Sequence, residues 1–534
     1  WLPDSFGYTG SLPQIIRAAG SRWFLSQKLS WNDTDKMPHH TFDWEGIDGS
    51  RVLAHFPPVD TYNSRLSVAE MRHAEENFAE KGVADSSIVP FGWGDGGGGP
   101  TREMLAAGHR LENLEGAPTV EIASPNAFFQ HTEEEFAHRP VWSGEMYLEF
   151  HRGTYTSQLR TKQGNRRSEH LLREAELWAA TAAIREGAEY PYEVLKDCWR
   201  TVLRNQFHDI LPGSCIGWVY DRVEEEYRLV ASELEKVITT STTALVGQGS
   251  TSLRLNAAPA AVDGVASLAV APDAVPSEKV QLNQQQEATV LDNGRLRVTI
   301  DSRGLLTSVL DLEAEREVLP PGTTGGLLQL HHDAPRQWDA WDIDPEYRNT
   351  VEDVVNASDL AALQDGMDAV VTLTRQVGEA SSLREEIRLR PGSKQVELSF
   401  DIDWHERMKL LKLAFPVDVM AAVSTSEMQF GHVERPTHQN TSWDAARYEI
   451  CAHRWIHVGE QGYGVAVLND STYGHDVTRD LDQAGNPSTT VRLSLVRAPL
   501  FPDPEADQGH HSMRVALRPG ASIDDAVTEG YAFN

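Results

Sequence analysis

The sequence has 534 residues and carries 79 acidic against 48 basic side chains, a formal net charge of −31. This length exceeds what one hydrophobic core usually organises, so we expect at least about three domains. The acidity, without any Lys/Arg-rich block, makes nucleic acids and anionic membranes unfavourable partners, and no apolar run reaches membrane-spanning length. We therefore expect neither nucleic-acid binding nor membrane insertion.

The cysteine pattern indicates a reducing environment. Cys198, Cys215 and Cys451 are an odd number at wide spacings, which gives neither a disulfide framework nor a paired metal motif. We therefore predict a cytoplasmic protein, and a homo-oligomer is compatible with the sequence.

Residues 1–128 alternate short apolar runs with amphipathic segments. The predicted strands lie at residues 22–25, 51–56 and 87–91, and the predicted helices at 13–19 and 68–80. This order favours an α/β layer or barrel, in which chemistry gathers at the carboxyl ends of the strands.

Residues 129–245 have a helical pattern, with helices predicted at 169–185, 192–211 and 216–245. Pro212 and Gly213 stop the middle helix. Short connections between such helices predict a helical bundle.

Residues 246–534 become rich in Ser, Thr, Val, Pro and Gly, with alternating apolar and polar positions at 296–300 and 395–400. Turn residues at 292–294 and 390–392 interrupt these runs. The pattern predicts an antiparallel β-sandwich region.

His208 and Asp209 lie near the end of the predicted middle helix. On a helical wheel that starts at Leu195, Asp209 falls inside the apolar arc and His208 at its edge. A carboxylate on a buried face is costly unless it is paired, so the helix end is a candidate for lining a site. A helix cap or buried ion pair for Asp209 and a hydrogen-bonded core imidazole for His208 remain the alternatives.

Two further carboxylates occupy tight turns. Asp4 lies in a Pro-Asp-Ser-Phe-Gly turn, which suits a fixed nucleophile or metal ligand as well as simple turn chemistry. Asp95 lies between a predicted strand and four consecutive glycines, where backbone can approach a ligand closely. Neither phosphate-loop pattern fits the Asp95 segment, since Pro100 and Thr101 follow the glycines, and a flexible turn remains the alternative.

Two carboxylates on rigid turns suit a retaining glycosidase, in which one attacks the anomeric carbon and the other transfers protons. A divalent metal held by His and carboxylate could bind sugar hydroxyls. Aromatic side chains available for stacking against a sugar are Phe6, Trp31, Trp93, Trp338 and Trp341.

Taken together, these stretches resemble glycoside hydrolase family 38, the α-mannosidases, in its cytosolic and bacterial branch. The resemblance covers essentially the whole chain. It rests on WLPDSFGY at 1–8, LSQKLSWN at 25–32, PHHTFDWEGIDG at 38–49, GWGDGGGGP at 92–100, HRGTYT at 151–156, NQFHDILPGS at 205–214, WDAWDI at 338–343, GHVERPT at 431–437 and RAPLFPD at 497–503.

The resemblance implies a multidomain α and β fold with a partial α/β barrel of the seven-stranded type, a helical bundle and C-terminal antiparallel β-sandwich domains. It implies a retaining, exo-acting α-mannosidase that hydrolyses terminal α-mannosides of mannose-containing glycans. One divalent metal is expected, with zinc first and cobalt as the alternative.

The resemblance also assigns roles to residues. Asp4 matches the nucleophile, which is also a metal ligand, and His208 matches another metal ligand. Asp95 matches the general acid/base, and Asp209 matches a residue that contacts the sugar.

Three more side chains are expected at the substrate. Phe6 matches an aromatic wall of the sugar site, and Lys28 stands where other branches carry a basic residue. Trp93, beside Asp95, is the third substrate contact.

Family members supply two further metal ligands from a His-x-Asp motif before the nucleophile turn, and no such motif precedes Asp4 in this sequence. We therefore expect the chain to be an internal fragment. The alternative functions are a non-catalytic carbohydrate-binding or scaffold protein and a hydrolase that cuts a different bond with a metal-bound water, with Asp95 as its base.

Overall fold

The computed structural model describes residues 1–273, 278–482 and 484–534, which form two compact units. The first unit comprises Trp1–Phe150 with Met428–Val433, and the second comprises His151–Glu427 with Glu434–Asn534. The domain boundaries predicted at 128 and 245 remain predictions.

Helices occur in both units. Within the described residues they are α1 (Leu12–Ala18), α2 (Val68–Asn77), α3 (Arg102–Leu111), α4 (Pro125–Glu135), α5 (Leu159–Glu186), α6 (Tyr192–Asn205), α7 (Gly217–Val246), α8 (Ser442–Ala445) and α9 (Ile523–Phe533). Short 3₁₀ helices cover Lys28–Trp31, Arg152–Tyr155 and Pro345–Thr350.

Most strands belong to the second unit. In the described ranges the strands are β1 (Trp23–Leu25), β2 (Thr41–Glu45), β3 (Arg51–His55), β4 (Val141–Ser143), β5 (Leu253–Asn256), β6 (Ala269–Pro272), β7 (Gln281–Gln284), β8 (Ala288–Asp292), β9 (Leu296–Asp301), β10 (Leu306–Asp311), β11 (Arg316–Glu317), β12 (Leu327–His332), β13 (Val351–Val354), β14 (Ser358–Asp365), β15 (Asp368–Val377), β16 (Ser381–Leu389), β17 (Val396–Trp404), β18 (Lys409–Val417), β19 (Val423–Met428), β20 (Gly431–Pro436), β21 (Ile450–Cys451), β22 (Trp455–Glu460), β23 (Tyr463–Asn469), β24 (Gly474–Leu481), β25 (Pro487–Arg497) and β26 (Gly509–Pro519).

The first unit is organised around a four-stranded mixed sheet in the order β1-β3-β2-β4. β1 runs parallel to β3, β3 pairs antiparallel with β2, and β2 runs parallel to β4. One face packs in a cluster that includes Phe24, Phe42, Trp44 and Val52, all nearly or completely buried. The mixed α/β character is confirmed, whereas the predicted barrel is not: the described residues of this unit form a four-stranded open sheet and no closed barrel.

The third strand predicted in this region, at residues 87–91, is wrong. The segment is extended, but Phe91 only forms an isolated parallel bridge with Ser64. Pro90 has no backbone N–H to donate to a strand ladder, which disfavours a regular strand through this apolar segment.

Helices α5, α6 and α7 share one hydrophobic core. Their apolar positions recur at helical spacing, as in Leu172, Ala175 and Ala179 of α5, which are at most 2% exposed. α5 ends at Gly187, which adopts a left-handed conformation (φ +70°) and donates its N–H to the Ala182 carbonyl.

Helix α6 ends earlier than the sequence predicts. It stops at Asn205, and residues 206–213 form successive turns, so His208 and Asp209 do not lie on a helix face. The Gln206 side chain donates to Asn165 and Glu169 of α5, and these tertiary bonds replace the continuation of the helix. The prediction that Asp209 occupies a buried apolar face is therefore wrong.

The rest of the second unit is built from antiparallel sheets. Their strand orders are β5-β6, β11-β10-β9-β8-β7, β13-β12-β18-β25-β24-β21 and β14-β15-β16-β17-β26-β23-β22-β19-β20. One large hydrophobic cluster combines side chains of the five-, six- and nine-stranded sheets. The predicted runs and turns around β9 and β17 are confirmed, since both strands alternate buried and less buried positions.

Every helix in the described ranges is too short or too polar to span a lipid bilayer. Cys198, Cys215 and Cys451 are all free thiols.

Candidate functional site

The segment that carries Asp4 lies beside the carboxyl end of β1. The Leu2 N–H donates to the Leu25 carbonyl, and the Gln27 N–H donates to the Pro3 carbonyl. Gly7 closes the turn at φ +91°, where an added Cβ would lie 3.1 Å from backbone atoms of Met146 and Leu148. A glycine is needed there, and the turn presents Asp4 at the end of a parallel strand.

Two donors contact the Asp4 carboxylate. Lys28 Nζ lies 2.6 Å from Oδ1, and the Tyr62 hydroxyl donates to Oδ2 at 3.0 Å. The Lys28 side chain is 4% exposed and that of Asp4 is 18% exposed. The carboxylate is therefore held in one orientation, with a buried positive charge on one oxygen and a neutral donor on the other.

Aromatic rings surround the Lys28 ammonium. It lies 3.9 Å from the ring centroid of Trp31 and 5.1 Å from that of Phe6. These are cation–π distances, so the rings stabilise a charge that the protein largely removes from water. The structure thus brings Asp4, Lys28 and Phe6 together.

Tyr62 was missed by the sequence analysis. It stands 58 positions from Asp4 in the loop between β3 and α2, and no motif marks it. The turn that carries Asp4 and the motif that carries Lys28 therefore predicted only part of the cluster.

Asp95 lies at the tip of a small hairpin, and not directly after a strand as predicted. Trp93 and Gly99 pair as an antiparallel bridge, and Asp95 between them is exposed with φ +50°. Positive φ is uncommon for a residue with a side chain. The Arg65 guanidinium lies 4.6 Å from the Trp93 ring centroid, and this contact helps to fix the orientation of the ring.

The loops of Asp4 and Asp95 are joined through consecutive residues. Tyr62 donates to Asp4, and the side-chain oxygen of Asn63 accepts the Gly94 N–H at 2.9 Å. A Cβ on Gly94 would lie 2.4 Å from that Asn63 oxygen, so the approach depends on glycine. The connecting loop therefore positions both predicted catalytic carboxylates within the first unit.

His208 and Asp209 lie on the turn after α6, in the second unit. His208 Nε2 is 3.7 Å from Asp209 Oδ2, and both side chains are about one third exposed, at 32% and 33%. Asp209 Oδ1 accepts a hydrogen bond from the Ser214 hydroxyl at 2.7 Å, and its backbone carbonyl accepts one from Tyr220 at 3.1 Å. The turn thus presents an imidazole and a carboxylate on a hydrogen-bonded frame.

Buried polar groups support the turn that carries His208 and Asp209. Lys162 donates to the Leu211 carbonyl at 2.9 Å, and burial lowers the pKa of Lys162 to about 7. Burial, with Asp209 nearby, raises the pKa of Cys215 to about 11, which leaves its thiol protonated at neutral pH. A cysteine nucleophile at this turn is therefore unfavourable.

Asp4 and His208 are side chains of the types that bind zinc, as an oxygen and a nitrogen ligand. Among the described residues, however, the group of three His, Cys, Asp or Glu side chains whose ligand atoms all lie within 4.8 Å of one another is Asp85, His131 and Glu135. That group could hold a cation, but it is not the site that the sequence predicts. Asp4 and His208 are of residue types that bind a divalent metal, but they belong to separate units. That they bind one metal ion together remains a prediction.

Sequence models of three domains match the chain. The N-terminal domain of glycosyl hydrolases family 38 matches residues 1–145, the alpha mannosidase middle domain matches 149–245, and the C-terminal domain of glycosyl hydrolases family 38 matches 291–505.

The chain is also similar to named proteins. It is 38% identical to Alpha-mannosidase 2C1 of Homo sapiens, covering 100% of this chain and 54% of that protein. It is 34% identical to Alpha-mannosidase of Saccharomyces cerevisiae, covering 100% of this chain and 51% of that protein. The chain thus spans about half the length of the curated relatives it matches.

A solved structure shares the fold. The crystal structure of an alpha-mannosidase from Enterococcus faecalis V583 matches with a TM-score of 0.79 at 13% identity, over 99% of this chain and 76% of that one. The three domain models and the alignment of this whole chain to about half of each α-mannosidase confirm the predicted resemblance. The chain belongs to family 38 of the glycosyl hydrolases.

Proposed function

We propose that this protein is a retaining, exo-acting α-mannosidase that removes terminal α-mannosides from glycans with the help of a divalent metal. The observation that carries the proposal is the Asp4 carboxylate, which Lys28 and Tyr62 hold at the end of β1 beside Phe6 and Trp31. The names of the relatives support the choice of mannose, and the three free cysteines support a cytoplasmic location.

Asp4 and Asp95 would act in two steps. In the first, an Asp4 oxygen attacks the anomeric carbon while Asp95 protonates the departing glycosidic oxygen, which leaves a mannosyl ester on Asp4. In the second, Asp95 removes a proton from water, the water oxygen bonds to the anomeric carbon, and the ester bond to Asp4 breaks. Two displacements return mannose with its original anomeric configuration.

Other residues would bind and orient the sugar. Phe6 and Trp93 offer ring faces, and Lys28 and Asp209 offer a donor and an acceptor for hydroxyl groups. Asp4 and His208 would hold the metal, with zinc expected and cobalt as the alternative. When bound, a divalent ion supplies Lewis acidity toward sugar hydroxyls.

The assignment of Asp4 is tested by covalent trapping in the full-length protein. A 2-deoxy-2-fluoro mannosyl fluoride slows breakdown of the ester, so digestion and mass spectrometry should find the label on the peptide that contains Asp4. Asp4→Asn should abolish both labelling and turnover of an aryl α-mannoside. Label on another carboxylate would reject Asp4 as the nucleophile.

Further measurements on the full-length protein separate the alternative functions. Asp95→Ala should hydrolyse an activated aryl α-mannoside slowly, and azide should restore turnover and give α-mannosyl azide, because azide needs no general base. Product of inverted configuration would indicate attack by a metal-bound water instead. Absence of any turnover by the full-length protein would favour a carbohydrate-binding or scaffold role.

A further inference from the structure

The second unit contains a cleft of about 570 Å³ whose lining residues take no part in the proposed reaction. Its walls come from four segments, at residues 311–314, 394, 457–464 and 520–525, all of which belong to this unit. They are the turn after β10, the turn before β17, the hairpin of β22 and β23, and the connection from β26 into α9. A volume of this size lies within the range of small-molecule sites, about 300–1,000 Å³.

Asp311 is a buried carboxylate of the cleft wall, and its hydrogen-bond donors are neutral. It is 8% exposed. Oδ1 accepts the N–H groups of Glu313 and Ala314, both at 3.1 Å, and Oδ2 accepts the Tyr463 hydroxyl at 3.3 Å. An ionised carboxylate accepts up to about four hydrogen bonds, so Oδ2 keeps room for one more donor. Gly520 leaves space beside this oxygen, since a Cβ there would lie 2.7 Å from it.

The other three carboxylates of the cleft are each paired with a basic side chain. These pairs are Glu313 with Lys394 at 2.5 Å, Glu460 with Arg316 at 2.8 Å, and Asp525 with Arg518 at 3.6 Å. The pairs compensate those three charges, whereas the neutral donors of Asp311 do not compensate its charge. The cleft therefore retains a negative charge at a buried oxygen.

His457 adds a neutral acceptor to the same cleft. Its Nε2 lies 2.9 Å from the Ala521 carbonyl oxygen, and burial lowers the pKa of the ring. A neutral imidazole in this contact carries its proton on Nε2, which leaves Nδ1 as an acceptor. Gly464 permits the contact, because a Cβ there would overlap the ring.

The lining also contains a strong donor. The Lys394 ammonium has three N–H groups and is 34% exposed, so its pair with Glu313 leaves donors for a ligand. The Tyr463 hydroxyl donates to Asp311 and can itself accept a hydrogen bond. Donors and acceptors thus lie on facing segments of one cleft.

These groups restrict the class of ligand. An anion would be repelled by the Asp311 carboxylate, and a cation would be repelled by the Lys394 ammonium. A neutral ligand rich in hydroxyl groups can donate to Asp311 and accept from Lys394. We propose that this cleft binds a neutral saccharide. The proposal does not depend on the proposed α-mannosidase activity, because Asp4 and Asp95 belong to the other unit.

Photoreactive saccharides test the site in the full-length protein. The probes are α-linked mannotriose and maltotriose, two neutral trisaccharides that differ in hydroxyl stereochemistry, each with a diazirine at the reducing end. The protein carries Asp4→Asn so that hydrolysis does not consume the probe. After irradiation and digestion, mass spectrometry should find label from at least one probe on peptides that contain residues 311–314, 457–464 or 520–525.

Competition identifies the class of ligand. Excess unmodified trisaccharide should remove the label from these peptides, whereas cadaverine, a cation, and tri-galacturonic acid, an anion, should not. Asp311→Asn keeps the shape of the side chain and removes its charge, so it should raise the trisaccharide concentration that halves the labelling by about 10-fold. Lys394→Gln, at a partly exposed position, should raise the same concentration.

Asp401→Asn is the matched control. Asp401 is an exposed carboxylate on β17 in the same unit, and its substitution should leave the competition unchanged. Turnover of an aryl α-mannoside should also be the same with and without Asp311→Asn when Asp4 is intact.

Several results would overturn the proposal. Absence of label on the cleft peptides with both probes, or equal competition in the Asp311, Lys394 and Asp401 variants, would reject the site. Removal of the label by cadaverine or by tri-galacturonic acid would reject a neutral saccharide as its ligand. Label on the cleft peptides without turnover by the full-length protein would support the site and reject only the proposed activity.

Discussion

Lys28 and Tyr62 give the two oxygens of Asp4 different partners, a charge and a neutral hydroxyl. In the proposed ester the carboxylate loses its charge, and the buried Lys28 ammonium then lacks its counter-charge. The rings of Trp31 and Phe6 still face the ammonium and hold it in place. Lys28 would therefore favour return of the ionised carboxylate, which is the direction of the second step.

At the residue scale we predict that Tyr62→Phe lowers kcat/KM for α-mannosyl fluoride by about 10- to 100-fold, because a hydrogen bond to a charged group contributes about 1.5–3 kcal/mol. Tyr62 is only partly buried, so the melting temperature should change little. Steady-state kinetics and thermal unfolding of the full-length protein check both parts. Tyr192→Phe, which removes an exposed hydroxyl elsewhere, is the control, and equal rates for both variants would contradict the role of Tyr62.

At the scale of elements, the sequence predicts those helices and strands whose apolar residues recur at regular spacing. α5, α7, β9 and β17 follow their apolar spacing, and the structure has helices and strands there. The end of α6 depends instead on bonds from Gln206 to α5, which no local pattern contains. Long-range contacts of this kind decide where an element stops.

In the candidate site, too, local motifs predict some residues and miss those that long-range contacts bring in. Asp4, Phe6 and Lys28 belong to two neighbouring motifs, and the structure brings their side chains together. Tyr62 contributes through a loop whose sequence carries no signal. The apolar segment before Asp95 predicts a strand that ends at this residue, yet the observed hairpin depends on Asn63 and on glycines that permit close approach.

The turn after α6 gives a prediction about an element boundary. Gly213→Ala should destabilise the protein more than Gly187→Ala, although both glycines have positive φ, at +92° and +70°. Left-handed backbone costs an alanine about 1–2 kcal/mol at either position. A Cβ at Gly213 also meets the Ser157 carbonyl, while one at Gly187 meets no atom within 4 Å.

Chemical denaturation of the two variants measures the difference, and overlap at Gly213 should add about 1–3 kcal/mol of destabilisation. Because His208 and Gly213 belong to the same run of turns after α6, Gly213→Ala should also lower turnover of an aryl α-mannoside, and Gly187→Ala should not. Equal loss of stability in both variants would show that the contact between the added Cβ and Ser157 does not lower the free energy of unfolding.

At the scale of the molecule, strong surface acidity coexists with an interior that keeps its imidazoles neutral. Burial lowers the pKa of His55 in the first unit and of His475 in the second to about 3. His55 Nδ1 lies 2.9 Å from the Thr41 hydroxyl, and His475 Nε2 lies 3.2 Å from the Ser426 hydroxyl. Both partners are neutral hydroxyls, so neither supplies a charge that would offset the cost of burying a protonated ring.

These shifts predict an acid-sensitive fold. Between about pH 3 and pH 6.5 an unfolded chain binds a proton at His55 that the folded protein does not bind, so falling pH favours unfolding through this window. The stabilising contribution is complete above pH 6.5 and is lost as the pH falls. Buried carboxyl groups such as Asp333 and Glu385 have raised pKa values, through burial, and act in the opposite direction.

Single imidazoles are therefore best tested by substitution. His55→Asn should make the free energy of unfolding fall less steeply between pH 6.5 and pH 4 than in the unmodified protein, by up to about 1.4 kcal/mol per pH unit. Denaturant unfolding at several pH values measures the slopes. His109→Asn, at an imidazole whose side chain is 70% exposed in the same unit, is the control for substitution at the surface. If His55→Asn leaves the slope unchanged, His55 is not held neutral by burial, and the acid sensitivity must come from other groups.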